Sequence, residues 1–154
     1  MVDAAVLKKI PAFKPFTEDE IKVLSQRLLE ESVEAGRSIF HENQIGDDSM
    51  FFIETGAVKI TKKYKTEEKV LANLKDGEFF GEMSMLMPAP RSASAIAIRP
   101  CKLVRFSDRD YNDFKKTQPA LVVKFNEVFL KALIARLRDA DKRLVKDGFG
   151  IGAL

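Results

Sequence analysis

Cysteine and histidine are almost absent from this chain of 154 residues, which carries one of each. The single cysteine, Cys101, excludes an internal disulfide and any multi-thiolate metal site. It suits a reducing compartment, where its expected role is a small core side chain. His41, equally alone, cannot supply a two-histidine metal centre within one chain, and it is expected on a partly exposed strand. No basic-then-apolar leader opens the sequence, which begins MVDAAVLKKIPAF, and no apolar run approaches membrane-spanning length. A soluble cytoplasmic protein with no membrane contact is expected. Charge of one sign is lacking too: 26 basic and 23 acidic side chains leave a net +3, too near balance to demand nucleic acid or an acidic membrane as partner.

Apolar residues, by contrast, make up 45% of the chain, enough for one good core and a single domain over 1–154. Helices are expected over 1–31: Val2 to Ile10, stopped by Pro11, then Glu18 to about Leu29. The second is signalled by a Thr17/Glu20 capping box and a Phe16/Ile21 staple, with Ile21, Leu24 and Leu28 inward. A β-barrel is expected over 32–106, and from Ser32 to Leu74 the periodicity shortens. Gly36, Gly46 and Gly56 divide segments such as Arg37 to His41, Met50 to Glu54 and Val58 to Lys63, and a polar hairpin is expected at Thr66 to Glu68. Val70 to Leu74, Ala95 to Ile98 and Lys102 to Phe106 continue the alternation, and the whole reads as a small β-barrel or jelly roll. Aromatics are scarce among Lys62, Lys63 and Lys65, and Glu67 and Glu68 follow immediately, so they read as a solvated hairpin rather than a phosphate-backbone patch.

The barrel pattern is interrupted over 79–95 by FFGEMSMLMPAPRSASA. Phe79 and Phe80 can anchor this segment, Gly81 can expose its backbone to a ligand, and Glu82 to Leu86 is long enough for one helical turn whose free N–H groups suit an anion. Pro88 and Pro90 stiffen the path to Arg91, which enters a run of small residues, Ser92 to Ala95. A guanidinium offers a rigid fork to phosphate oxygens, while the Glu82 carboxylate accepts from a hydroxyl pair such as ribose. An acid and a base nine positions apart are, taken alone, more often a salt bridge or two solvated side chains.

In this order, F-G-E, small or apolar residues, Leu, a short loop and P-R-S-A closely resemble the phosphate-binding cassette of cyclic-nucleotide-binding domains. The resemblance covers nearly the whole chain and implies an eight-stranded barrel flanked by helices, with the cassette as its internal helix. It implies that Glu82 holds the ribose 2′-hydroxyl, that Arg91 pairs with the cyclic phosphate, and that the Ser92 and Ala93 amides add donors, with Gly81, Met83 and Ser84 lining the turn. Where the family usually has alanine this chain has Ser84, which could add a hydrogen bond. Ser92 does not decide the base; cAMP is expected ahead of cGMP, with no metal, no other cofactor and no catalytic residue.

Ser107 with Asp110, and Phe106 with Tyr111, signal a helix from Asp108 to about Lys116; Pro119 then opens the longest one, Ala120 to Lys146. Val122, Phe125 and Phe129 are expected to cover the barrel. Val123, Leu130, Leu133, Leu137, Ala140 and Leu144, with Asn126 in register, follow the three-four alternation of a coiled coil and point to a homodimer. The same helix is expected to swing over the base as a lid, coupled through Met85 or Leu86, with Arg136, Asp139 and Asp141 as candidate base contacts. The helices of 107–147 are followed by a glycine-rich tail over 148–154, too short for a helix-turn-helix module, so the expected output is an unidentified effector protein rather than nucleic acid. Two rivals remain: a scaffold or dimerisation module that keeps the fold without the ligand, and a phosphodiesterase, for which the cassette has neither metal ligands nor a histidine base.

Overall fold

The computed structural model describes residues 1–148. Helices α1 (Ala4–Lys9) and α2 (Glu18–Arg27) precede strands β1 (Leu29–Val33), β2 (Ser38–Phe40), β3 (Met50–Tyr64), β4 (Glu67–Lys75) and β5 (Phe79–Phe80). The short helix α3 (Glu82–Leu86) follows, then β6 (Ser94–Phe106), α4 (Asp108–Thr117) and α5 (Pro119–Lys146). All pairings are antiparallel, in the order β1-β6-β3-β4, with β2 added on β6 and β5 on β3. The jelly-roll class with flanking helices and a long C-terminal helix is as expected.

Its strand count is not: the described residues form six strands, not eight. The breaks read at Gly56 and around Pro100 are irregularities inside β3 and β6, whose register shifts between Ile53 and Val58 while the two strands stay paired. Gly56 has a φ of 125°, and a Cβ there would lie 2.6 Å from Cys101 Sγ and 2.9 Å from the Pro100 carbonyl oxygen. Only glycine lets the two bent strands approach so closely. Two boundaries also move. Helix α2 ends at Arg27 because Leu29 already pairs with Arg105, so the sheet begins before Ser32. The hairpin turn is Lys65-Thr66, since Tyr64 pairs with Glu67 and both glutamates belong to β4. The tail beyond 148 lies outside the described residues.

Alternation across the sheet divides the core in two. Phe52, Phe79, Val104 and Phe106 face the helices and pack with Phe13, Leu24, Phe114, Phe125 and Phe129. Their sequence neighbours Phe51, Phe80 and Leu103 face the interior of the roll, with Phe40, Ile53, Val58 and Leu74. The Phe79-Phe80 pair therefore pins the cassette from both sides of the sheet. The helices seat as their caps predict. Thr17 and Glu20 form the reciprocal capping box, Ser107 accepts from the Asp110 N–H, and Ile21, Leu24 and Leu28 are buried.

Candidate functional site

Gly81 caps α3 in the left-handed conformation, φ 85°, and a Cβ there would meet the Ser49 carbonyl oxygen at 3.1 Å and Arg91 Nη1 at 3.2 Å. Its bareness admits the Ser49 carbonyl and the Arg91 guanidinium at close range, and Gly81 also lines the cleft described below. The next residue, Glu82, is 2% exposed. Burial raises its carboxyl above the usual range, and the charge of Arg136 offsets this only in part. Arg136 Nη1 donates to Glu82 Oε1 at 2.5 Å, and Nη2 donates to the Phe79 carbonyl oxygen. Helix α5 thus reaches onto the cassette through Arg136, in addition to the packing of Phe129 on Phe79.

Arg91, also 2% exposed, is fixed at both backbone groups: its N–H donates to the Gln44 carbonyl at 3.0 Å, and its carbonyl accepts from the Asn43 N–H at 2.7 Å. Its guanidinium lies 4.1 Å above the Phe40 ring centroid. Nη2 donates to the Ser49 carbonyl at 2.6 Å and Nη1 to the Gly81 carbonyl at 3.2 Å, while the buried Nε has no partner. Burial lowers the Arg91 pKa from its ordinary value, against the opposing charges of Asp47, Asp48 and Asp108. Arg91 and Glu82 do not pair with each other, which removes the simple salt-bridge reading of these two residues.

A second set of residues holds Arg91's acceptor. Ser49 is fully buried; its N–H and hydroxyl donate to Asp47 Oδ1 at 3.1 and 2.6 Å, and its hydroxyl accepts from Arg105 Nε at 3.1 Å. Arg105 also bridges to Asp47 and Glu31. These residues were missed from sequence. The turn signal Gly46-Asp47-Asp48 marks the loop, but nothing local points Ser49 at a residue 42 positions away.

These groups border a cleft of about 180 Å³. One wall is apolar, from Phe40, Ile60, Ala72 and Leu74; the other is the cassette, with Gly81, Glu82, Met83, Ser84, Arg91, Ser92 and Ala93 all on it. Met83 is largely exposed at the rim. The Ser84 hydroxyl faces the Ala89 carbonyl at 3.4 Å, so it braces the loop. Of the candidate lid residues, Arg136 lines the cleft, while Asp139 and Asp141, further along α5, do not. Behind the cassette, Met85 is buried in the helix-side core and Leu86 packs against it. On α5, Leu121, Val122, Phe125 and Phe129 are buried, whereas Val123, Leu130, Leu137 and Leu144 are exposed. Asn126 accepts from the Tyr111 hydroxyl at 2.7 Å. Among the described residues no cluster of three His, Cys, Asp or Glu could hold a metal ion, and no helix is long and apolar enough to cross a membrane.

Comparison with known proteins gives the family. Residues 30–118 match the model of the cyclic nucleotide-binding domain. The chain is 31% identical over 140 residues to the cyclic AMP receptor protein of Thermus thermophilus, covering 90% of this chain and 62% of that protein. It is 34% identical over 91 residues to the cAMP-dependent protein kinase regulatory subunit of Yarrowia lipolytica, covering 59% of this chain and 24% of that one. A solved cyclic nucleotide-binding domain from Methylobacillus flagellatus superposes with a TM-score of 0.82 at 26% identity, covering 98% of this chain and 84% of that one. The chain thus spans less than two thirds of the length of either curated relative.

Proposed function

This chain belongs to the cyclic nucleotide-binding domain family, and we propose that it is a regulatory module that binds a cyclic mononucleotide, cAMP in preference to cGMP. The observation that carries the reading is the pair of buried, opposite charges on one cleft: an Arg91 guanidinium with an unpartnered Nε–H, and a Glu82 carboxylate, each supported by other parts of the chain rather than by the other. An exocyclic phosphate oxygen meets Arg91, with the Ser92 and Ala93 amides as further donors. The ribose 2′-hydroxyl donates to Glu82, and the base lies on the apolar wall. Both curated relatives described above are named for cAMP, which is the basis for ranking it first.

Arg136 makes α5 part of the binding event, because a ribose hydroxyl and Arg136 draw on the same carboxylate. The lid is therefore coupled to the sugar through Glu82 and to the cassette helix through Met85 and Leu86. A tenfold preference of ligand for one lid position, about 1.4 kcal/mol, is within reach of one charge-assisted hydrogen bond. Asp139 and Asp141 have no part in this reading of the base contacts. The exposed stripe of α5 pairs two copies into a homodimer, and the signal leaves through an effector protein rather than through nucleic acid, in a reducing cytoplasmic setting that suits the buried Cys101. The activity is binding, not catalysis.

Calorimetric titration with cAMP, cGMP and a panel of cyclic dinucleotides tests the proposal. Saturable binding of cAMP, tighter than of cGMP, is expected. The rival reading, a scaffold that keeps the fold without the ligand, draws on the protein partners that Arg91 and Glu82 already have; no heat with any nucleotide at millimolar concentration would favour it.

A further inference from the structure

Two anchors hold the chain on either side of the cassette's small residues. Before them, Arg91 is tied through both backbone groups to Asn43 and Gln44. After them, β6 begins at Ser94, whose hydroxyl accepts from the Glu42 N–H at 2.8 Å. Between the anchors the orientation of the peptide linking Ser92 to Ala93 is held by Lys62, on β3, which donates from Nζ to the Ser92 carbonyl at 2.6 Å. Lys62 also lies 3.3 Å from Glu42 Oε2, and Glu42 Oε1 accepts from the Lys63 N–H at 3.0 Å. The ammonium is therefore steered to the carbonyl by a carboxylate that is itself fixed.

In a trans peptide the C=O and the following N–H point in nearly opposite directions. Lys62 does not line the cleft, whereas Ser92 and Ala93 do. A Ser92 carbonyl drawn toward Lys62 turns the Ala93 N–H the other way. Ala93 is buried, and its N–H has no acceptor among the turn and loop hydrogen bonds of the described residues. We propose that Lys62 is a positioning residue for anion recognition: by holding the Ser92 carbonyl outside the cleft, it aims the Ala93 N–H at the second phosphate oxygen while Arg91 takes the first. Lys62 touches no ligand and acts through the peptide plane. This inference rests on the nucleotide reading above.

The test pairs calorimetry with the amide resonance of Ala93, using cAMP as the probe and the variants Lys62→Met, which keeps the stem and removes the donor, and Lys62→Arg. The parent should show the Ala93 amide proton moving downfield at saturating cAMP. Lys62→Met should bind about three- to tenfold more weakly, the worth of one modest hydrogen bond, with most of that downfield movement lost, and Lys62→Arg should restore both. Parent-like affinity and an unchanged Ala93 shift in Lys62→Met would overturn the brace. So would weakened affinity with the Ala93 shift intact, which would mark Lys62 as a direct charge contact. A parent that does not respond to cAMP overturns the nucleotide reading and the brace together, whereas a binding parent with an indifferent Lys62→Met overturns the brace alone.

Discussion

The two faces of the sheet come from the same strands, yet they are held together by different chemistry. The helix-side face is a continuous aromatic core, with Phe125 touching Phe13, Phe16, Phe52, Phe106 and Phe129. The roll interior is apolar around Phe51 and Phe80, but at its mouth it carries Arg91 and Glu82, both buried and both charged. Burying ions is costly unless they are well paired, and an arrangement that leaves Arg91 Nε without a partner contributes little to folding. The contrast is a division of labour: stability resides on the face covered by helices, and the proposed recognition site on the face that retains polar groups where greasy ones would pack better.

That division can be broken by mutation, and the largest effect is expected from the helix side. Phe125→Ala should lower unfolding stability by about 3 to 5 kcal/mol in urea titrations, while the folded fraction keeps its cAMP affinity; a loss of affinity at full folding would mean that the two faces are not separable. Arg91→Ala should do the reverse. Its binding of cAMP should weaken by roughly 2 to 5 kcal/mol in calorimetry, with a melting temperature that falls far less than that of Phe125→Ala. Smaller in energy, but distinct in kind, is the outer stripe of α5. Leu137→Glu should shift the sedimentation profile toward monomer and lower the melt less than Phe125→Ala, by the lost subunit association alone, and an unchanged profile would remove this helix from self-association.

The smallest effect separates two carboxylates, Asp47 and Glu82, by the sign of their pH dependence. At Asp47 burial alone would raise the pKa, but hydrogen bonds from Ser49 and the charge of Arg105 hold it below the usual value. Its contribution is present above the carboxylate's unfolded value and is lost as pH falls through the lower, folded one. Glu82 runs oppositely. Raised by burial, it contributes most below its unfolded value, and that contribution is lost as pH rises through the folded one. Thermal melts across mildly acidic pH should therefore show Asp47→Asn flattening the acid limb and Glu82→Gln flattening the decline on the other side. The same slope in both variants would contradict the assignment.

What could be read in the sequence was local. The Thr17 and Ser107 caps, the cassette's Gly-Glu and Pro-Arg-Ser-Ala, and the barrel-facing Val122, Phe125 and Phe129 are each written within a few residues, and the structure places these features where their spacing implies, whereas Asn126, read into the outer seam of α5, accepts from the Tyr111 hydroxyl instead. The rest depended on partners distant in the chain. Gly56 looks like a strand end because glycine punctuates turns; that it is a bulge against Cys101 is visible only once β3 and β6 are paired. Ser49 under Arg91, Arg136 over Glu82 and Lys62 beside Ser92 are joined across 42, 54 and 30 positions, where periodicity carries no information. Asp139 and Asp141 were drawn from a helical register that could not say which turn of α5 stands over the cleft.

In the proposed complex the Arg91 guanidinium receives the cyclic phosphate. The most direct measurement is the Arg91 Nε–H resonance during a cAMP titration of the ¹⁵N-labelled protein. A buried donor that gains a phosphate acceptor should move strongly downfield, saturating with the same affinity that calorimetry reports. An Nε–H resonance that stays in place at saturating cAMP would contradict the account.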